Sequence, residues 1–332
     1  MTHLASKTAA TAIAAVLALP AFAEPPKVVV DIAPIHALAT QVMDGVATPD
    51  LLLSQDANPH SVQLRPSQAR MLANADLVIW VGPALSPWLE STVEGLSGAD
   101  SLVLMDSPAT HLRDFTPPVG AKPHDAHDEH DEHDEHGDDE HEEHGADDHD
   151  HDEGGDHDHG AKDPHVWMSV DNARAWLGLF ADTFSEYDPD NAALYHANAE
   201  KAEAGIDTLV DQIESTLAPV AGSEIVTFHA AFGYFADRFP ITIAGSVRPG
   251  DATSPSAAAL AKLKELVATH DIACAYAEPA FDPALLETIS ADTGLRIGTL
   301  DPTGALQTPG PDHYAATMNA IATGIADCIL DK

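Results

Sequence analysis

Histidine and acidic side chains, all of them metal ligands, dominate one segment of this chain. Between His124 and His159 there are 11 histidines and 19 aspartates or glutamates, with no lysine or arginine. Neutral imidazole and carboxylate suit divalent zinc, nickel and copper, so the composition predicts metal capture and leaves the metal open. The predicted ligands are His124, His127, His130, His133, His136, His141, His144, His149, His151, His157 and His159.

The same segment is predicted to be disordered without metal. It has almost no apolar residues, so it cannot bury enough surface to offset the entropy of ordering. The alternative is a solvated acidic linker in which histidine is incidental. The unit His-Asp-Glu, repeated from His127 to His136, favours metal binding because a linker has no need for histidine at every third position.

The first residues have the layout of a secretory signal. Lys7 precedes an apolar run over 11–19, and the small residues of Ala21-Phe22-Ala23 follow it. We therefore expect cleavage before Glu24 and a periplasmic location, with secretion as the alternative. The apolar run is shorter than the roughly 20 residues that span a bilayer, so no membrane insertion is predicted. The mature chain has no cysteine near its start that could carry a lipid anchor.

Charge and cysteine content limit the partners and the compartment. The net charge is -39, of which the histidine-rich segment contributes -19, and this excess argues against nucleic acid and anionic membranes as partners. The only cysteines are Cys274 and Cys328. An oxidising compartment favours their pairing, so one disulfide is predicted, with two buried thiols as the alternative.

Apolar, β-branched runs alternate with helical patterns twice along the chain. Four runs precede residue 110, at 27–32, 48–53, 76–81 and 101–105, and four follow residue 220, at 224–227, 241–244, 272–277 and 296–300. Between the two sets, a helix capped by Asp190 is predicted to reach Leu217. The predicted fold class is α/β, with two four-stranded β/α lobes joined by one long rigid helix that limits their opening.

These patterns also define domain boundaries. After a signal peptide over 1–23, we predict an N-terminal lobe over 24–187 that contains a disordered histidine-rich loop over 123–162. The linking helix is placed at 188–218 and the C-terminal lobe at 219–332. Helices inside the lobes are predicted at 66–75, 254–269 and 282–292.

Metal donors lie near several predicted strand ends, where open α/β sheets bind their ligands. They are His36, His60, His229, Glu278 and Asp301. His165 stands where the acidic segment gives way to foldable sequence. Each histidine alone is more often an ordinary surface or capping residue, but their joint placement favours a site. Three imidazoles and one oxygen would complete a tetrahedral zinc shell.

Five motifs in order resemble a known family. They are Asn58-Pro59-His60, Leu64-Arg65-Pro66-Ser67-Gln68, Asn74-Ala75-Asp76-Leu77-Val78, Asp163-Pro164-His165-Val166-Trp167, and His229-Ala230-Ala231-Phe232-Gly233-Tyr234-Phe235. The chain resembles the periplasmic zinc-binding proteins of ABC importers, in the family called cluster A-I. The resemblance covers essentially the whole mature chain, including a histidine-rich loop at the same place.

The resemblance implies a ligand set. The three histidine ligands fall on His60 and His165 in the N-terminal lobe and on His229 in the C-terminal lobe. A fourth, carboxylate position matches Asp301 in Leu300-Asp301-Pro302-Thr303-Gly304. Some members instead use water or a Glu directly before the first histidine, and Pro59 occupies that position here. Manganese-binding relatives carry a carboxylate at the position of His229, so a histidine there argues for zinc.

The resemblance also implies pairing of Cys274 with Cys328, and a function. A monomeric protein would bind Zn²⁺ between its lobes and deliver it to an inner-membrane ABC permease, while the histidine-rich loop gathers or senses zinc. Alternatives are a free-standing periplasmic zinc buffer or chaperone, and a manganese-binding member. A zinc enzyme is disfavoured because the closest approach to His-Glu-x-x-His, at 141–144, spaces its histidines three apart.

Overall fold

The computed structural model describes residues 24–55, 57–96, 98–115, 162–248 and 257–331. The predicted signal peptide and the eleven histidines between His124 and His159 lie outside these ranges, so the expectations for them stay predictions. Within the described ranges, no helix has the length and apolarity needed to cross a bilayer.

The first half of the chain forms a parallel sheet with strand order β2-β1-β3-β4. Both central strands are buried along their whole length, as expected for a parallel sheet between helices. The strands are β1 (Val28–Val30), β2 (Asp50–Leu51), β3 (Leu77–Trp80) and β4 (Asp100–Val103). The helices are α1 (Ala33–Val42), α2 (Pro66–Ala73) and α3 (Pro87–Leu96).

The second half repeats this topology with strand order β6-β5-β7-β8, again all parallel. Two four-stranded α/β units, as predicted, are therefore confirmed. The strands are β5 (Glu224–His229), β6 (Thr242–Arg248), β7 (Ile272–Ala277) and β8 (Arg296–Thr299). The helices are α6 (Gly233–Arg238), α7 (Ala257–Thr269), α8 (Ala284–Thr293) and α9 (His313–Leu330).

Two helices connect the sheets: α4 (Val170–Tyr187) and α5 (Ala192–Leu217). The 26 residues of α5 span about 39 Å, which confirms the long connecting helix. The predicted cap was wrong, because Asp190 lies in a 3-10 turn over Pro189–Asn191 and the helix starts after Asn191 without a side-chain cap. The predicted domain boundaries stay a prediction.

The last helix unites the two halves. α9 packs against α1 and α5 on one side and against β7 and β8 on the other, so one buried core includes residues of both sheets. A second, smaller core lies between the second sheet and helices α7 and α8. The disulfide predicted between Cys274 and Cys328 is present and fastens β7 to α9. The site described next therefore lies between units that share a continuous core.

Candidate metal centre

Three histidines converge between the two sheets. His60 lies in the loop between β2 and α2, His165 lies just before α4, and His229 ends β5. One ring nitrogen from each falls within 4.8 Å of the others, and no other group of three or more metal-ligating side chains converges in this way in the described part of the chain. His165 and His229 are buried and His60 is half-buried.

The loop that carries His60 is fixed through its backbone. The Asn58 side chain accepts the backbone N–H of His60 at 2.9 Å. The carbonyl of Pro59 accepts two hydrogen bonds, from Ser86 Oγ at 3.0 Å and from Trp88 Nε1 at 2.7 Å. These bonds hold a segment without regular secondary structure beside the other two histidines, and Pro59 further restricts its backbone.

His165 is oriented by Asp163. The Asp163 carboxylate lies 2.8 Å from His165 Nδ1, accepts the His165 backbone N–H at 3.0 Å, and forms an ion pair with Arg113 at 2.9 Å. Burial raises the pKa of Asp163, but the hydrogen bonds and charge of His165 and the hydrogen bond from Arg113 outweigh it and hold the pKa below its usual range. An ionised carboxylate only accepts, so Nδ1 of His165 carries the proton and the lone pair of Nε2 could bind a metal.

His229 has the same arrangement with Glu278. Its Nδ1 lies 2.7 Å from the Glu278 carboxylate, which also accepts the His229 backbone N–H at 3.1 Å. Glu278 directly follows β7, the strand beside β5, and the strand order reverses between these two strands. The pair therefore lies at the topological switch point where open α/β sheets bind ligands.

The two Nε2 atoms of His165 and His229 lie 3.3 Å apart. A carboxylate beside each Nδ1 favours the tautomer with its proton on that atom. In that tautomer the two Nε2 lone pairs face one another, an arrangement that a cation between them stabilises. Tetrahedral zinc with bonds of about 2.0 to 2.1 Å places two nitrogen ligands about 3.3 to 3.4 Å apart. Burial lowers the pKa of His165, and the neighbouring His229 and His60 lower it further against the effect of Asp163, so His165 is neutral at pH 7.

Asp301 lies on the wall of the adjoining cavity, outside the histidine cluster. One carboxylate oxygen accepts the backbone N–H groups of Thr303 and Gly304, at 3.2 and 2.9 Å, and the other accepts that of Leu306 at 3.0 Å. Metal ligation by Asp301 stays a prediction. A carboxylate that binds a metal can keep such hydrogen bonds, so Asp301 and water both remain candidates for the fourth ligand.

Sequence reasoning missed one orienting residue and left two donors without a role. Asp163 belongs to the motif Asp163-Pro164-His165-Val166-Trp167. Its position two residues before His165 was the signal in the sequence that could have indicated the contact between them. Glu278 was left outside the ligand set, as a structural or supporting residue, and the structure places it against His229. His36 points elsewhere, with its Nε2 atom 2.9 Å from the carbonyl of Pro49.

Comparisons with known proteins found matches over nearly the whole chain. The family model described as ZnuA, zinc-uptake complex component A, periplasmic, matches residues 28–328. The high-affinity zinc uptake system protein ZnuA of Paracoccus denitrificans is 48% identical over 314 residues, which is 94% of each chain. Its namesake from Brucella abortus is 36% identical over 304 residues, 91% of each chain.

The fold is shared with solved structures at lower identity. A crystal structure of ZnuA superimposes with a TM-score of 0.69 at 18% identity, covering 91% of this chain and 98% of that one. A ZnuA deletion mutant with zinc bound gives a TM-score of 0.67 at 19% identity, over 92% and 98% of the two chains. Because the family model and the Paracoccus relative each match nearly the whole chain, the chain belongs to the ZnuA family of periplasmic zinc-uptake components.

Proposed function

We propose that this protein captures Zn²⁺ in the periplasm and delivers it to an ABC-type permease in the inner membrane. His60, His165 and His229 bind the ion, and Asp301 or water completes the shell. The observation that carries the proposal is the pair of Nε2 atoms 3.3 Å apart, each with its Nδ1 held by a buried carboxylate. Relatives named as high-affinity zinc uptake proteins support it.

The donor set favours zinc over manganese. Three imidazoles are borderline donors that suit zinc, whereas manganese prefers oxygen donors such as carboxylate and water. The two carboxylates next to the cluster, Asp163 and Glu278, are held against imidazole nitrogens, where they raise ligand basicity. A manganese protein would bring such carboxylates to the metal itself.

Described residues flank the histidine-rich segment on both sides, and those that follow it lead directly to His165. The described residues on its two sides meet at a β-bridge between Asp114 and Lys162, whose side chains also form an ion pair at 2.6 Å. Lys162 is three residues before His165, so zinc on weak sites in the segment would have a high effective concentration near the centre. We propose that the segment gathers zinc for the centre or senses its supply.

A competitive zinc titration against a calibrated chelator tests the proposal. The mature protein and a variant lacking 125–160 should each retain one tight site, and the deletion should remove only weaker sites. His229→Ala should weaken the tight site by more than about 100-fold, because it removes a direct ligand. His196→Ala, at an exposed histidine on α5, is the matched control and should leave it unchanged. Loss of tight binding with the 125–160 deletion would contradict the proposed centre.

A further inference from the structure

The segment around His165 is bonded to the second half of the chain. Trp167 donates its indole N–H to the carbonyl of Pro302 at 2.8 Å, and Tyr314 donates its hydroxyl to the carbonyl of Trp167 at 3.0 Å. Tyr234, on α6, donates its hydroxyl to the carbonyl of Asp163 at 3.1 Å. We name Trp167, Tyr234 and Tyr314 the seam; all three side chains are at most 3% exposed.

Arg113 adds two ion pairs beside the seam. Its guanidinium bridges Asp163 at 2.9 Å and Asp237 of α6 at 2.8 Å, and its backbone N–H donates to the Tyr234 hydroxyl at 3.1 Å. The first residue of α6 is Gly233, where an added Cβ would lie 1.9 Å from the Arg113 guanidinium. The close approach of α6 to this arginine therefore depends on glycine at that position.

The bonds that cross between the two halves beside His60 are more exposed than those of the seam. The hydrogen bonds given above tie Pro59 to Ser86 and Trp88, which belong to the first half of the chain. Across the cleft, the half-buried Gln55 amide donates to the carbonyls of Gln307 and Gly304, at 2.9 and 3.5 Å. Buried hydrogen bonds cost more to break than bonds that water can replace, so opening is easier here than at the seam.

We propose that Trp167 and Tyr314 are positioning residues, which with Tyr234 hold His165 beside His229 as a fixed pair, and that His60 is the ligand that separates when zinc is released. This inference rests on the proposed zinc site. It divides the ligands differently from their order in the sequence, which grouped His60 with His165. Zinc leaving the centre would first lose His60 and remain on two imidazoles that face the cavity.

The zinc affinities of two ligand variants test this division of the ligands into a fixed pair and a separable His60. The full mature chain is titrated with zinc against a chelator strong enough that only the tightest site reports. His60→Ala leaves the fixed pair intact, so it should retain a site at least about tenfold tighter than His229→Ala, which leaves two histidines that are not held together. Equal affinities in these two variants would overturn the inference. Absence of tight binding in the wild type would instead refute the proposed zinc site.

The seam is tested in the His60→Ala background. Tyr314→Phe removes only the hydroxyl bonded to Trp167, and Trp167→Phe removes the indole N–H bonded to Pro302. Each should lower the residual zinc affinity by about tenfold. Tyr276→Phe and Trp80→Phe are matched controls, since they remove the hydrogen bonds to Ile325 and Ser101 away from the centre. These control substitutions should lower the residual zinc affinity by less than about threefold.

Thermal unfolding of each variant shows whether a lower zinc affinity comes from loss of the fold or from displacement of His165. Tyr314→Phe keeps the test valid if Trp167→Phe does not fold, because it deletes one atom and leaves the packing in place. Seam variants that fold and bind zinc as well as their controls would overturn the inference. Seam variants that fold and show the tenfold loss would support it.

Discussion

Asp163 and Glu278 determine which nitrogen atom each of two histidines presents to the centre. Both carboxylates are buried, and each accepts from a histidine Nδ1 and from the backbone N–H of the same histidine. A carboxylate in this position fixes the tautomer and the ring orientation and raises the basicity of the opposite nitrogen. Zinc affinity should therefore depend on residues that do not touch the metal.

Replacing Glu278 measures this dependence. Glu278→Ala removes the acceptor of His229 Nδ1 and should lower zinc affinity by about 10- to 100-fold, while Glu278→Gln keeps an oxygen acceptor and should lose less. Glu287→Gln, at an exposed position on α8, is the control for loss of one negative charge. Affinity in Glu278→Ala equal to that of the control would show that the carboxylate does not support the ligand.

Acid should release the metal, because only neutral imidazole binds it. The pKa of His165 is lowered from the ordinary value of 6.5, mainly by burial, so this histidine stays neutral at pH 7 and protonates only at lower pH. Zinc affinity should be nearly constant above about pH 7 and should fall steadily below about pH 6.5, where protons compete for the ligands. Zinc titrations corrected for protonation of the chelator measure this pH dependence. A zinc affinity that is unchanged at about pH 5 would contradict a histidine shell.

The sequence indicated the three histidines but not their support. His60 and His229 follow predicted strands, and all three lie in motifs that resemble the family. Position and resemblance together therefore selected the histidines that the structure brings together. The bond from Trp167 to Pro302 joins residues 135 positions apart, and no local pattern reports such packing. The loop bonds of Asp301 were likewise not predictable from its motif, and its role as a ligand stays a prediction.

At the scale of elements, periodicity located every strand but not every element boundary or helix. All eight strands were located, yet β6 continues to Arg248, well beyond the predicted end at Ala244, because Gly245 and Ser246 interrupt the apolar pattern. The 18-residue helix α4 was not predicted. Its signals were present, with a Ser169 side chain that caps the first turn and buried residues at helical spacing.

The disulfide is expected to support the fold and not the metal centre. It closes a loop between residues 54 apart and fastens β7 to α9. Replacing both cysteines, as Cys274→Ala with Cys328→Ser, should lower the free energy of unfolding by about 3 to 4 kcal/mol in the chain-entropy model. Denaturant unfolding measures the change. Zinc affinity of the folded variant should change by less than about threefold; a larger loss would mean that the bond also positions a ligand.

For the whole molecule, the continuous core predicts a small motion. α9 contacts α1, α5 and the second sheet, so wide separation of the halves would expose buried apolar surface. Spin labels at Glu90→Cys on α3 and Glu287→Cys on α8 should report a distance change of about 1 to 2 Å between zinc-free and zinc-loaded protein. A change of about 10 Å, as in hinge-type closure, would contradict the continuous core as a restraint.

The central claim is that three imidazoles bind the transported zinc, and X-ray absorption at the zinc edge tests it most directly. The mature protein would carry half an equivalent of zinc, so that the tightest site fills first. The spectrum should show three imidazole nitrogens at about 2.0 to 2.1 Å and one oxygen, and His229→Ala should lose one imidazole. A shell dominated by oxygen, or one unchanged in His229→Ala, would show that zinc binds elsewhere in the chain.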